Sequence, residues 1–188
     1  MSKTQIREYV ESLAIAIVLA LFIITFIAQS FLVEGSSMEP SLHHGQRLLV
    51  EKVSYRFGEP QRGEIIVFKY PGDRRRKFIK RVIGVPGDEV LIKNGFLYIN
   101  GVRLEEDFIN GPTYGSYSAP SHGPLSVPLD HYFVLGDNRR NSDDSRYPDV
   151  GFIPKKEIVG RALFVYWPLT QIGLAKVPPV YERAEQTQ

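Results

Sequence analysis

Hydrophobic and polar positions divide the chain into two unequal parts. From Leu13 to Val33, 18 of 21 residues are apolar, interrupted only by Thr25, Gln29 and Ser30. No polar face recurs at helical spacing, which suits a lipid-facing helix better than a buried core helix. At 1.5 Å per residue the run would span roughly 32 Å, close to the hydrocarbon thickness of a bilayer. The pattern predicts a cytoplasmic N-terminus over 1–12, a transmembrane anchor over 13–33 and an extracytoplasmic domain over 34–188. A cleaved secretory signal is the rival reading, with Lys3 and Arg7 as its basic start and Ala28-Gln29-Ser30 as a small-x-small site. Against it, the unbroken core Leu13–Ala28 is long for a signal segment, and Phe31-Leu32-Val33 extends it. Lys3 and Arg7 ahead of a single span favour an N-terminus inside, a bias that Glu8 and Glu11 weaken.

Beyond residue 34 the pattern changes. Short runs of β-branched and aromatic residues alternate with turn formers at Arg47–Val53, Glu64–Tyr70, Phe78–Val85, Glu89–Lys93, Phe96–Ile99, His131–Leu135 and Ile158–Trp167. Asn94-Gly95 and Asn100-Gly101 are strong hairpin signals. Neither βαβ alternation nor a second helix of comparable strength is evident. The fold class is therefore mainly β, a membrane-anchored β-rich domain with one N-terminal transmembrane helix. The Gly-, Pro-, Ser- and Tyr-rich stretch 105–130 reads as a loop or small subdomain insertion.

Composition narrows the function. The 188 residues carry 23 Lys+Arg and 21 Asp+Glu, a net charge of +2, which argues against a nucleic-acid binder. The absence of cysteine excludes a disulfide framework, a thiolate metal site and a cysteine nucleophile. All 16 Gly and 13 Pro follow residue 34, so turn formers are confined to the second part.

Candidate chemistry is sparse. His43-His44 lacks a third ligand at metal spacing, and His122 and His131 are isolated, so no metal site is expected. Arg74-Arg75-Arg76-Lys77 beside Gly72-Asp73 reads as a solvated turn. Ser37 follows the apolar run between Gly35, which permits unusual backbone angles, and Pro40, which fixes the chain. Taken alone, Gly35-Ser36-Ser37 reads first as a membrane-exit loop. Lys80 shares a strand face with Phe78 and Val82. It either snorkels to water or, if desolvated, loses its proton readily and can serve a serine hydroxyl as base. The polar stretch Gly136–Arg146 is either a solvated loop or a shell of charge-paired groups around a site.

Four segments together resemble the boxes of the type I bacterial signal peptidases. They are Ser37-Met38-x-Pro40-Ser41-Leu42, Arg62–Phe68, Lys80–Asp88, and Gly136-Asp137-Asn138-Arg139-x-Asn141-Ser142-x-Asp144-Ser145-Arg146, in the family's order and directly after the apolar run. The resemblance implies a β-fold serine endopeptidase with a serine–lysine dyad and no cofactor. Ser37 would be the nucleophile and Lys80 the general base. Ser142 would hold the lysine amine, supported by Asp144 and Arg146. Val33, Met38, Leu42, Phe78 and Ile79 match positions that line the family's substrate pockets. Gly35 stands where some members carry an oxyanion-binding serine, leaving the Ser37 N–H and a Gly35 backbone contact or water for that task. The implied partners are preprotein signal peptides and the lipid bilayer of the plasma or inner membrane, with the catalytic domain on the outer face. From another class, a non-catalytic membrane-anchored β-module binding a protein or lipid partner has no reason to keep both Ser37 and Lys80.

Overall fold

The computed structural model describes residues 3–115 and 121–181. In chain order its elements are α1 (Lys3–Phe22), β1 (Ala28–Leu32), β2 (Arg47–Glu51), α2 (Ser54–Phe57), β3 (Ile65–Tyr70), β4 (Asp73–Gly84), β5 (Glu89–Lys93), β6 (Phe96–Ile99), β7 (Val102–Arg103), β8 (His122–Ser126), β9 (His131–Leu135), β10 (Ile153–Pro154), β11 (Ile158–Trp167) and β12 (Gly173–Leu174). The molecule is mainly β, as the alternation of short apolar runs predicts.

The apolar run Leu13–Val33 does not stay helical to its end. α1 passes into a π-helical turn over Ile23–Ile27, and the backbone is extended from Ala28. The cause is a better set of hydrogen bonds: β1 pairs antiparallel with β2, Ala28 opposite Glu51 and Leu32 opposite Arg47. Lys52 Nζ donates to the carbonyls of Ile24 (3.1 Å) and Thr25 (3.4 Å), satisfying groups the ended helix leaves free. What remains, Arg7–Ile27, is a 21-residue segment of mean hydropathy 2.7, long and apolar enough to cross a membrane.

Two sheets form the rest. The larger runs β1-β2-β11-β3-β4-β9-β10, with β12 on β11; the smaller runs β7-β6-β5-β8. Three strands lie between β1 and β4 in that order, yet the Lys77 ammonium of β4 lies 5.7 Å from the Phe31 ring of β1. The larger sheet must therefore curl on itself, and its interior holds Val33, Met38, Leu42, Leu48, Val50, Ile65, Val67, Ala162 and Val165. A second apolar cluster, with Ile83, Ile92, Leu97, Phe133 and Leu135, joins the two sheets. The closely packed interiors fix the strands that carry the polar groups described below.

β4 is longer than the sequence predicts. The basic run Arg74–Lys77 lies inside it rather than in a turn, because Lys77 pairs opposite Lys69 and the bend falls at Pro71-Gly72. Strand β8 was also not foreseen within 105–130: its Gly123-Pro124 breaks the alternation that marks a strand. Residues 116–120 of that stretch lie outside the described residues.

Candidate active site

Three elements meet at Ser37. The β1–β2 loop carries the serine, β4 carries Lys80, and the loop after β9 closes over both. Gly35 has φ +92°, a left-handed conformation that favours glycine, and it turns the chain out of β1 toward Ser37. Asn138 holds this turn from the opposite loop: its N–H donates to the Ser37 carbonyl (3.0 Å) and its Nδ2 to the Ser36 carbonyl (3.1 Å). Asn141 Nδ2 donates to Ser36 Oγ at 2.8 Å. Neither asparagine has a role in the sequence reading; their places in the fourth box and the polar density of Gly136–Arg146 are the signals.

Lys80 is 4% exposed, and its Nζ lies 2.8 Å from Ser37 Oγ, donating to it when charged. It also donates to the Ile79 carbonyl at 3.1 Å. Burial dominates its titration and lowers its pKa to about 8, against partial opposition from Asp144, Asp143 and Asp137. Arg146 adds to the lowering. Arg81, the next residue on β4, is engaged elsewhere: it forms a bidentate pair with Asp137 at 2.9 and 2.6 Å and donates to the carbonyls of Gly63 and Lys176.

Asp144 and Arg146 are buried and paired at 2.7 Å, and Asp144 also accepts the Gly136 N–H at 3.1 Å. Arg146 donates to the carbonyls of Tyr114 and Arg139, so the pair braces the loop. Ser142 is buried beside this pair, but its hydroxyl has no hydrogen-bond partner among the described residues, the Lys80 amine included. It packs against Gly136, where an added Cβ would stand 2.2 Å from Ser142 Oγ and 2.4 Å from the Ser37 carbonyl.

A groove of about 720 Å³ runs from Ser37 and Lys80 along β1 and β4. Val33, Met38, Phe78 and Ile79 line it, with Phe31 and Val67 as walls not foreseen from sequence. Leu42 does not reach it. It is 2% exposed inside the curled sheet and borders a separate cavity on the far side. The Gly35 N–H donates to His44 Nδ1 at 3.1 Å, so it is not free to bind an oxyanion, as the sequence reading allowed. Among the described residues, no group of three or more His, Asp or Glu is placed to hold a metal ion.

A hydroxyl set against a buried, readily neutralised lysine at the end of a peptide-sized groove has the parts of a serine hydrolase. The family model described as signal peptidase, peptidase S26, matches residues 6–167, and the chain belongs to that family. It is 44% identical to a probable signal peptidase I-2 of Synechocystis over 89% of this chain and 76% of the relative. It is 41% identical to a signal peptidase I of Leptolyngbya laminosa (94% and 87% covered). A signal peptidase I of Bacillus licheniformis is also 41% identical (90% and 93% covered). The protein is a serine endopeptidase.

Proposed function

We propose that this peptidase cuts N-terminal signal peptides from exported preproteins while α1 anchors it in the membrane, N-terminus inside and β-domain on the outer face. The observation that carries the reading is the 2.8 Å contact between Ser37 Oγ and a Lys80 amine with pKa about 8. Neutral Lys80 accepts the Ser37 proton as Oγ attacks the scissile carbonyl. The resulting ammonium passes that proton to the leaving amine, and the signal peptide remains as an ester on Ser37. A water deprotonated by Lys80 then attacks the ester, releasing the signal peptide and restoring Ser37.

The Ser37 N–H supplies the oxyanion donor. Asp144 and Arg146 act at one remove, by fixing the loop that holds Ser37 in place. Ser142 holds the lysine amine during turnover, a task with which its buried, unpartnered hydroxyl is compatible. The groove supports recognition of small residues: Val33, Met38, Phe78 and Ile79 crowd the space next to Ser37. Within 105–130, β8 pairs with β5 and so extends the smaller sheet.

Synthetic peptides with Ala at the first and third residues before the cut test this reading. Cleavage after Ala is expected, with at least a hundredfold loss of kcat/KM when Phe replaces the residue before the cut. Equal hydrolysis after Phe contradicts the pocket assignment.

A further inference from the structure

Four cations lie at the end of α1 and on the neighbouring stretch of β4; Arg76 and Lys77 also line the groove, but the cleavage chemistry uses none of the four. Lys52 donates to the Ile24 and Thr25 carbonyls. The Arg56 guanidinium lies 5.5 Å from the Phe26 ring, Arg76 lies 5.3 Å from Phe78 and 5.4 Å from Tyr70, and Lys77 lies 5.7 Å from Phe31. Among the described residues none of the four forms an ion pair, whereas neighbouring Arg74 pairs with Glu157 and Arg75 with Asp73. They also repel one another: Lys52 titrates below its ordinary value through burial first, then through the charges of Arg56 and Lys77. Asp73, paired with Arg75, also feels the charge of Arg76, but no carboxylate pairs with any of the four among the described residues, and like charges held together in this way mark a place where an anion is to be supplied.

Their position names the anion. Lys52 and Arg56 lie against the last turn of the apolar helix, Lys77 sits at Phe31 of β1 within the field of Lys52, Arg76 is its neighbour on β4, and Phe57, beside Arg56, is 88% exposed. Cations and an exposed aromatic ring at the end of a membrane span lie at headgroup depth. We propose that Lys52, Arg56, Arg76 and Lys77 bind the phosphate groups of anionic lipids in the leaflet that faces the β-domain. The lipids would thereby fix the tilt of the groove above the membrane. This rests on the anchoring of α1 in a bilayer.

The test is native mass spectrometry of the full chain in detergent micelles, titrated with phosphatidylglycerol or phosphatidylcholine. Wild type should bind phosphatidylglycerol about tenfold or more tightly than phosphatidylcholine, since each basic residue near a charged surface contributes on the order of 1 kcal/mol. The quadruple variant K52Q/R56Q/R76Q/K77Q should bind the two lipids equally. R76Q/K77Q, which keeps the Lys52 contact to α1, should lose part of the preference and guards against misfolding of the quadruple variant. S37A should keep the full preference, separating lipid binding from catalysis. Equal affinity for both lipids in wild type, or a preference that survives in both variants, overturns the proposal. Displacement of phosphatidylglycerol by millimolar inorganic phosphate would make the site one for free phosphate and also overturns it. Retention of wild type and R76Q/K77Q in membranes after alkaline carbonate should hold in every case, and extraction of wild type overturns the anchoring on which the proposal rests.

Discussion

A lysine can act as a base at neutral pH only where the protein has made its ammonium costly, and Lys80 is such a residue. Its pKa of about 8 lies below the ordinary 10.5, so between these values the unfolded chain holds a proton that the folded chain has released. Stability contributed at this site therefore rises with pH across that window, and below pH 8 the buried ammonium is a standing cost. Lys80→Met should be inactive yet more stable than wild type at pH 7, by about 1–3 kcal/mol, read from the denaturation midpoint. Turnover should rise with pH, with a midpoint near the Lys80 pKa of about 8, and stay high on the alkaline side. A rate profile already flat by pH 7 contradicts a lysine base, since a histidine base titrates near about 6.5. Gly136 has a different constraint, because a methyl there would collide with Ser142 and the Ser37 carbonyl. Gly136→Ala should displace the nucleophile and lower kcat at least a hundredfold while the β-domain still folds, as circular dichroism would report.

At the scale of elements, the site is a junction of two loops and one strand, and the asparagines are its ties. Asn138 keeps a backbone bond to Ser37 whatever its side chain, so Asn138→Ala removes only the bond to Ser36. It should lower kcat about tenfold with KM nearly unchanged and cost about 1 kcal/mol of stability. An unchanged kcat would mean the clasp is not needed for attack. Several strands were legible in sequence as short apolar runs between turn formers: β5, β6, β9 and β11 match the expected runs residue for residue. Ser37 and Lys80 were legible through the boxes around them. The end of α1 was not, since Ala28–Leu32 is apolar enough for a helix and becomes a strand only through its pairing with β2. Nor were the inward turn of Leu42, the swing of Arg81 to Asp137, or the solitary Ser142 hydroxyl, all decided by packing between residues far apart in the chain.

In the whole molecule, the proposed membrane span leads into a groove whose reactive end lies in the β1–β2 loop, a few residues further on. Protease added to spheroplasts should digest the β-domain and spare an N-terminal tag; protection of the C-terminal domain would invert the proposed orientation. Substrates arriving through the same membrane would then meet Ser37 close to the bilayer surface, where a signal peptide leaves it. The claim on which all of this depends is that Ser37 and Lys80 together cut the preprotein. Its most direct test is mass analysis of one purified preprotein after incubation, in vesicles, with wild type, Ser37→Ala and Lys80→Ala. The account predicts a mature product cut at a single small-x-small site with wild type and no product with either variant. The same product at a comparable rate from either variant would contradict it.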